Sequence, residues 1–162
     1  HQYGLPEQAP LLAPSVFNFF QPGYSAPGDI ARVGLLSPEF QIFAETTAIR
    51  QANQHYGSLF WGTWVSEPSN GNTSSTLLMD MSACVALLNT PGLTRLEAQE
   101  LLINHLDDLL LFGAMSDGLK ADLRAAFALL PSWYDTTPER QLGRARMAAW
   151  LVLNSPEFFN QR

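Results

Sequence analysis

The chain has 162 residues, 46 % of them apolar and 15 % charged, with a formal charge of −6 and a single cysteine. That balance excludes the basic footprint required for nucleic-acid binding and leaves no basic amphipathic stretch for an anionic membrane surface. No apolar run reaches the roughly 18 residues of a membrane span, and one cysteine cannot form an internal disulfide.

The length suits one domain with its own core. The charged fraction is below the usual quarter or so, which predicts that other protein covers part of the surface. The first residues, HQYGLPEQAP, lack the charged and apolar regions of a signal peptide, and no Met begins them. The expectation is a fragment of a longer protein.

Residues 1–36 combine Pro6, Pro10, Pro14, Pro22 and Pro27 with Phe17, Phe19, Phe20 and Tyr24. Such a stretch disfavours long regular elements and predicts an ordered aromatic arm packed over a helical core. Short helices are expected near 14–20 and 29–34, with turns at Pro22-Gly23 and Pro27-Gly28.

Residues 35–64 then predict one long helix. Ser37 suits the cap, Pro38 the first turn and Glu39 the positive end of the dipole. Phe40, Phe43, Thr47, Ala48, Ala52, Tyr56, Leu59, Phe60 and Thr63 recur at threes and fours on one face. Gly57 and Gly62 weaken its second half.

Residues 66–75, SEPSNGNTSS, predict a flexible polar loop. Residues 76–81 allow an extended segment, and a helix is expected from about Ser82 to the stop at Pro91-Gly92. Thr94 and Glu97 form a capping box for a helix to about Phe112. Its expected buried face holds Leu96 or Leu101, Leu102, Leu106, Leu109, and Leu110 or Phe112, and Gly113 suits the left-handed stop. Ser116 and Asp117 start the next helix, with Leu119, Leu123, Ala126, Phe127 and Leu130 inward. Thr137-Pro138-Glu139 starts the last long one, lined by Leu142, Ala145, Ala149, Val152 and Leu153, with Arg140, Arg144 and Arg146 mainly elsewhere. The predicted class is all-α: a bundle of about five main helices.

Three elements carry a resemblance. SVFNFFQPGYSAPGDI (15–30), GLLSPEFQI (34–42) with Glu45 and Thr46, and LVLNSPEFFNQR (151–162) resemble the C-terminal part of the bacterial family called "domain of unknown function 1800". HLDDLLLFGAMS (105–116) resembles the leucine-rich segment between them. The resemblance implies a longer protein with a helical N-terminal portion, exported to the periplasm or cell exterior. It carries over no catalytic residues, and its motif residues read as anchors, turn prolines and caps.

The chemistry-bearing candidates are few. Glu45 and His55 lie ten residues apart on the predicted long helix, too far for a dyad without another element closing on them. A buried Glu45 that anchors the arm through backbone N–H groups is the simpler reading. His105 and Asp108, three apart, can share a helix face and offer two metal ligands, but a carboxylate-rich helix among leucines is ordinarily a solvated stripe. Arg144, with Arg140 and Arg146, suits an acidic partner or sulfated glycan, or simply a surface stripe. Cys84 has no basic neighbour to activate it and reads as a small core residue. No metal site or cofactor is expected. The residues point to a helical interaction or structural module that acts with the missing N-terminal part or a protein partner. The competing reading is part of an extracellular hydrolase whose active site that missing part completes.

Overall fold

A computed structural model describes residues 13, 16, 19–42, 45–66, 74–130 and 137–159. The described chain is mostly helical. It divides into two compact units, residues 1–54 and 55–162, with the division inside one helix. Much of the expected aromatic arm, and residues 67–73 of the expected polar loop, lie outside the described residues.

In the first unit, hydrogen bonds between two segments ten to twenty residues apart do the work. Helix α1 (Asp29–Arg32) is a single turn. The Ser37 N–H donates to the Tyr24 carbonyl at 2.9 Å, and the Ser37 hydroxyl accepts from the Ala26 N–H at 2.8 Å. The Ser25 hydroxyl donates to the Leu35 carbonyl, and the Gln41 side chain accepts from the Gln21 N–H, each at 2.7 Å. Together these bonds lace residues 21–26 to residues 35–41.

The predicted helix over 35–64 is therefore broken. Pro38–Gln41 forms a 3₁₀ turn closed by Phe40 N–H to Ser37 O, and α2 begins at Glu45 (Glu45–Phe60). Ser37 does not spend its hydroxyl on the helix start that its position suggested. The hydroxyl is engaged by a backbone group eleven residues upstream, a choice that local sequence does not reveal. Thr47, donating to the Ile42 carbonyl at 3.1 Å, stitches the break.

The second unit opens with the end of α2. Gly62 adopts φ +81°, and a Cβ there would lie within 2.6 Å of the Leu77 carbonyl oxygen. Only glycine permits that approach, so the chain turns out of the helix into a hairpin. Strand β1 (Thr63–Ser66) pairs antiparallel with β2 (Ser74–Leu77), Thr63 opposite Leu77 and Ser66 opposite Ser74. The periodicity of the sequence places residues 63 and 64 in the helix, and its composition places residues 66, 74 and 75 in a loop. Backbone pairing between segments eight or more residues apart overrides both.

Helices α3 (Ser82–Leu88), α4 (Arg95–Leu106), α5 (Asp117–Leu129), α6 (Pro138–Leu153) and α7 (Pro156–Phe159) complete the unit. The starts of α4, α5 and α6 follow the expected chemistry. Thr94 and Glu97 form the reciprocal capping box, Ser116 accepts from Leu119 N–H, and Thr137 accepts from Arg140 N–H ahead of Pro138. The core gathers Leu59, Met81, Cys84, Leu102, Ile103, Leu106, Leu111, Leu123, Phe127, Ala145, Ala148 and Val152.

One irregularity resets the α4 face. Residues Asp107–Leu111 form a π-helical turn, which ends with Phe112 at φ 56° and Gly113 at φ 77°. A π-turn inserts one residue into the helical repeat. The next fully buried apolar side chain after Leu106 is thus Leu111, five residues on, while Leu109 is 60 % exposed and Phe112 80 % exposed. Of the two alternatives expected inside, Leu96 is 72 % exposed and Leu101 37 %, and Ala98, Gln99 and Ile103 share the buried face with Leu102.

Candidate functional site

The polar groups that converge in the second unit begin with Arg144. Its position on α6 falls three residues after Gln141 and four before Ala148 in the helical repeat, and both of these are buried. Arg144 follows them inward and is only 1 % exposed. This corrects the surface-stripe reading for Arg144. Arg146 is half-buried, with its guanidinium 5.8 Å from the centre of the Phe60 ring.

Gln99 explains how a guanidinium can sit there. With its amide oxygen turned toward the arginines, Gln99 accepts from Arg144 Nη1 at 2.7 Å and from Arg95 Nε at 3.1 Å. The reverse orientation would set an NH₂ group against N–H donors. Arg144 also stacks over the Phe127 ring at 5.7 Å. Arg95 Nη2 donates to the Phe127 and Leu130 carbonyls at 3.3 Å each, which closes the C-terminal end of α5. A cavity of about 160 Å³ lies beside this network, lined by Leu93, Thr94, Arg95, Gln141 and Arg144 among others. The network joins α4, α5 and α6, and its evident consequence is to fix their register. Nothing in the sequence flagged Gln99, since one glutamine amid leucines has no motif.

A second polar node sits at the π-turn. Asp107 is buried, its Oδ1 accepting from Met115 N–H at 2.8 Å and its Oδ2 pairing with Lys120 Nζ at 2.8 Å. The Asp107 hydrogen bond holds the Lys120 ammonium above its ordinary range. The stripe reading thus fails for Asp107. Its neighbour Asp108 is exposed and His105 half-buried. Among the described residues, no group of three or more His, Cys, Asp or Glu converges as a metal site would require.

The third node is the one that sequence pointed to in part. His55 is half-buried, and its Nδ1 lies 3.2 Å from Asn154 Oδ1. Asn154 follows α6 as its C-cap, its Nδ2 donating to the Trp150 carbonyl at 2.6 Å. The two residues are 99 apart in the chain, and no local pattern links them. Glu45 opens α2, but its side chain lies outside the described residues.

Cys84 is buried in the core, and burial pushes its thiol up, away from nucleophilic use. At the far end of the unit, α7 caps α5. Glu157 accepts from the Ser116 N–H at 2.9 Å and from the Ser116 hydroxyl. The second S-P-E-F copy therefore uses its acid to hold a neighbouring helix start. Its Ser155 is buried, donating to the Val152 carbonyl at 2.8 Å and accepting from Phe158 N–H at 3.3 Å.

Compared with protein-family models, curated proteins and solved structures, the chain finds no match. No helix among the described residues is long and apolar enough to cross a membrane.

Proposed function

We propose that this chain is a helical interaction module of an exported bacterial protein, acting against another part of a longer polypeptide or a separate protein. The observation that carries the reading is the π-turn knob. Phe112 sits at φ 56°, a conformation that costs a bulky residue about 1–2 kcal/mol, with its ring 80 % exposed. Leu109, in the preceding turn, is also exposed. A strained, solvent-facing aromatic beside an exposed leucine buries little apolar surface within the bundle. It is the kind of anchor that fills a partner's pocket. Trp61, Leu77, Leu78 and Met79 add exposed apolar side chains at the hairpin base. Export and the family rest on the resemblance of the SVFNFF and SPEF elements alone.

The test joins the chain to the upstream residues of its own reading frame. Hydrogen exchange should show protection of residues 107–115 in the longer polypeptide and not in the isolated chain, and Phe112→Ala should abolish that difference. Equal exchange in both forms would overturn this reading for an intramolecular partner.

The competing reading, a hydrolase completed by another part of the polypeptide, is favoured by one observation, the pairing of His55 with Asn154. Hydrolysis of extracellular polymers by the longer polypeptide, lost in His55→Gln, would support it.

A further inference from the structure

We propose that His55 and Asn154 form an oriented proton-acceptor dyad, in which Asn154 holds the imidazole proton on Nδ1 and Nε2 is left to accept from a hydroxyl group of a ligand. Two hydrogen bonds carry the assignment. The Asn154 amide is oriented by its own helix, because Nδ2 donates to the Trp150 carbonyl at 2.6 Å and a carbonyl can only accept. Oδ1 must then be the atom that faces His55 Nδ1 at 3.2 Å. An amide oxygen has no proton to give, so Nδ1 carries it, and the neutral ring keeps its lone pair on Nε2.

The arrangement serves a base better than a switch. Protonation of Nε2 leaves the Nδ1–H bond to Asn154 intact, so the ring accepts and returns a proton without moving. A neutral amide supplies orientation with no counter-charge. The base held by a third group is the general pattern of an activated acceptor, and His55 as a residue is only half-buried. The matching ligand is a hydroxyl donor, either water or the alcohol of a larger molecule.

This deepens the second reading above, but it is decided on this chain alone. An oriented base without hydrolysis and hydrolysis without an oriented base are separate results. The experiment is long-range proton–nitrogen correlation of the histidine rings in the full chain, His55 being assigned by loss of its signals in His55→Gln. Diethyl pyrocarbonate, which modifies unprotonated ring nitrogens, follows as a probe with mass-spectrometric readout. The expected result is a single Nδ1–H tautomer at His55, and carbethoxylation of His55 at least as fast as that of His105. Asn154→Ala should lose the single tautomer and give the mixed signals of an unconstrained ring. A ring protonated on Nε2 would overturn the proposal. So would an Nδ1–H ring that the reagent does not modify, since that is a structural tie with a buried lone pair. The spectrum and reaction of the unsubstituted chain decide the matter even if Asn154→Ala fails to fold.

Discussion

The two units are held in different ways. Among the described residues, every fully buried apolar side chain belongs to the second unit, from Leu59 to Val152. Among the described residues of the first unit, the buried side chains are polar, Ser37 and Thr47, while Val33, Leu35, Leu36 and Ile49 are exposed. One unit is specified by packed apolar volume. The other is specified by a lacework of hydrogen bonds between two short segments. Packing is non-directional and tolerates a shifted helix. Hydrogen bonds are directional, and each one missing leaves a group unsatisfied.

The largest expected effect tests the packed unit. Leu102 is fully buried, so Leu102→Ala should cost about 2–5 kcal/mol, read by urea unfolding under circular dichroism. A loss below about 1 kcal/mol would mean that α4 is not a core helix.

Ser37→Ala tests the lacework. It removes the acceptor of the Ala26 N–H and should lower the local opening free energy there by about 1–3 kcal/mol. Hydrogen exchange should show the loss at Ala26, with the amides of α4 and α6 unchanged. An equal loss across both units would erase the distinction drawn between them.

Phe112→Gly should stabilise the isolated chain by about 1 kcal/mol, because glycine occupies φ 56° without steric cost. Together with weaker partner binding, that outcome would separate strain kept for contact from strain needed for folding. Destabilisation in thermal melts would show that the ring supports the bundle.

Acidification should weaken the second unit modestly. The Thr94 hydroxyl and N–H hold the Glu97 carboxyl below the usual range, and the Arg124 guanidinium does the same for Glu100. A carboxyl depressed on folding contributes above its unfolded pKa, about 4.3 for Glu, and that contribution fades as pH falls through the folded value. Helix content of the Thr94→Ala chain should fall less steeply with acid than that of the parent. Parallel curves would show that the capping box carries none of the pH dependence.

The smallest effect belongs to Ile49→Ala, which should change stability by no more than about 0.5 kcal/mol, since Ile49 is 63 % exposed. A cost near that of Leu102→Ala, in the same unfolding assay, would reveal apolar packing in the first unit.

The legibility of the chain follows the reach of each interaction. Thr94 with Glu97, Ser116 with Leu119, and Thr137 ahead of Pro138 act within four residues, so sequence alone placed those helix starts. It also placed the stop at Gly113 and the helix beginning at Ser82. The sequence could name His55 but not Asn154, because their hydrogen bond joins residues 99 apart in the chain. It set Arg144 on a surface because charge usually seeks water. Only the packed bundle brings Gln99 and the Phe127 ring to meet it. The π-turn shows the same limit. Leucines at 109, 110 and 111 are interchangeable in a periodic pattern, and the buried Asp107, tied to Met115 and Lys120, is the contact that accompanies the choice of Leu111 for the core. Local hydrogen-bond chemistry thus determined where α4, α5 and α6 begin, but not where α2 does. The tertiary structure decided which residues face inward, because burial is settled among segments far apart in the chain.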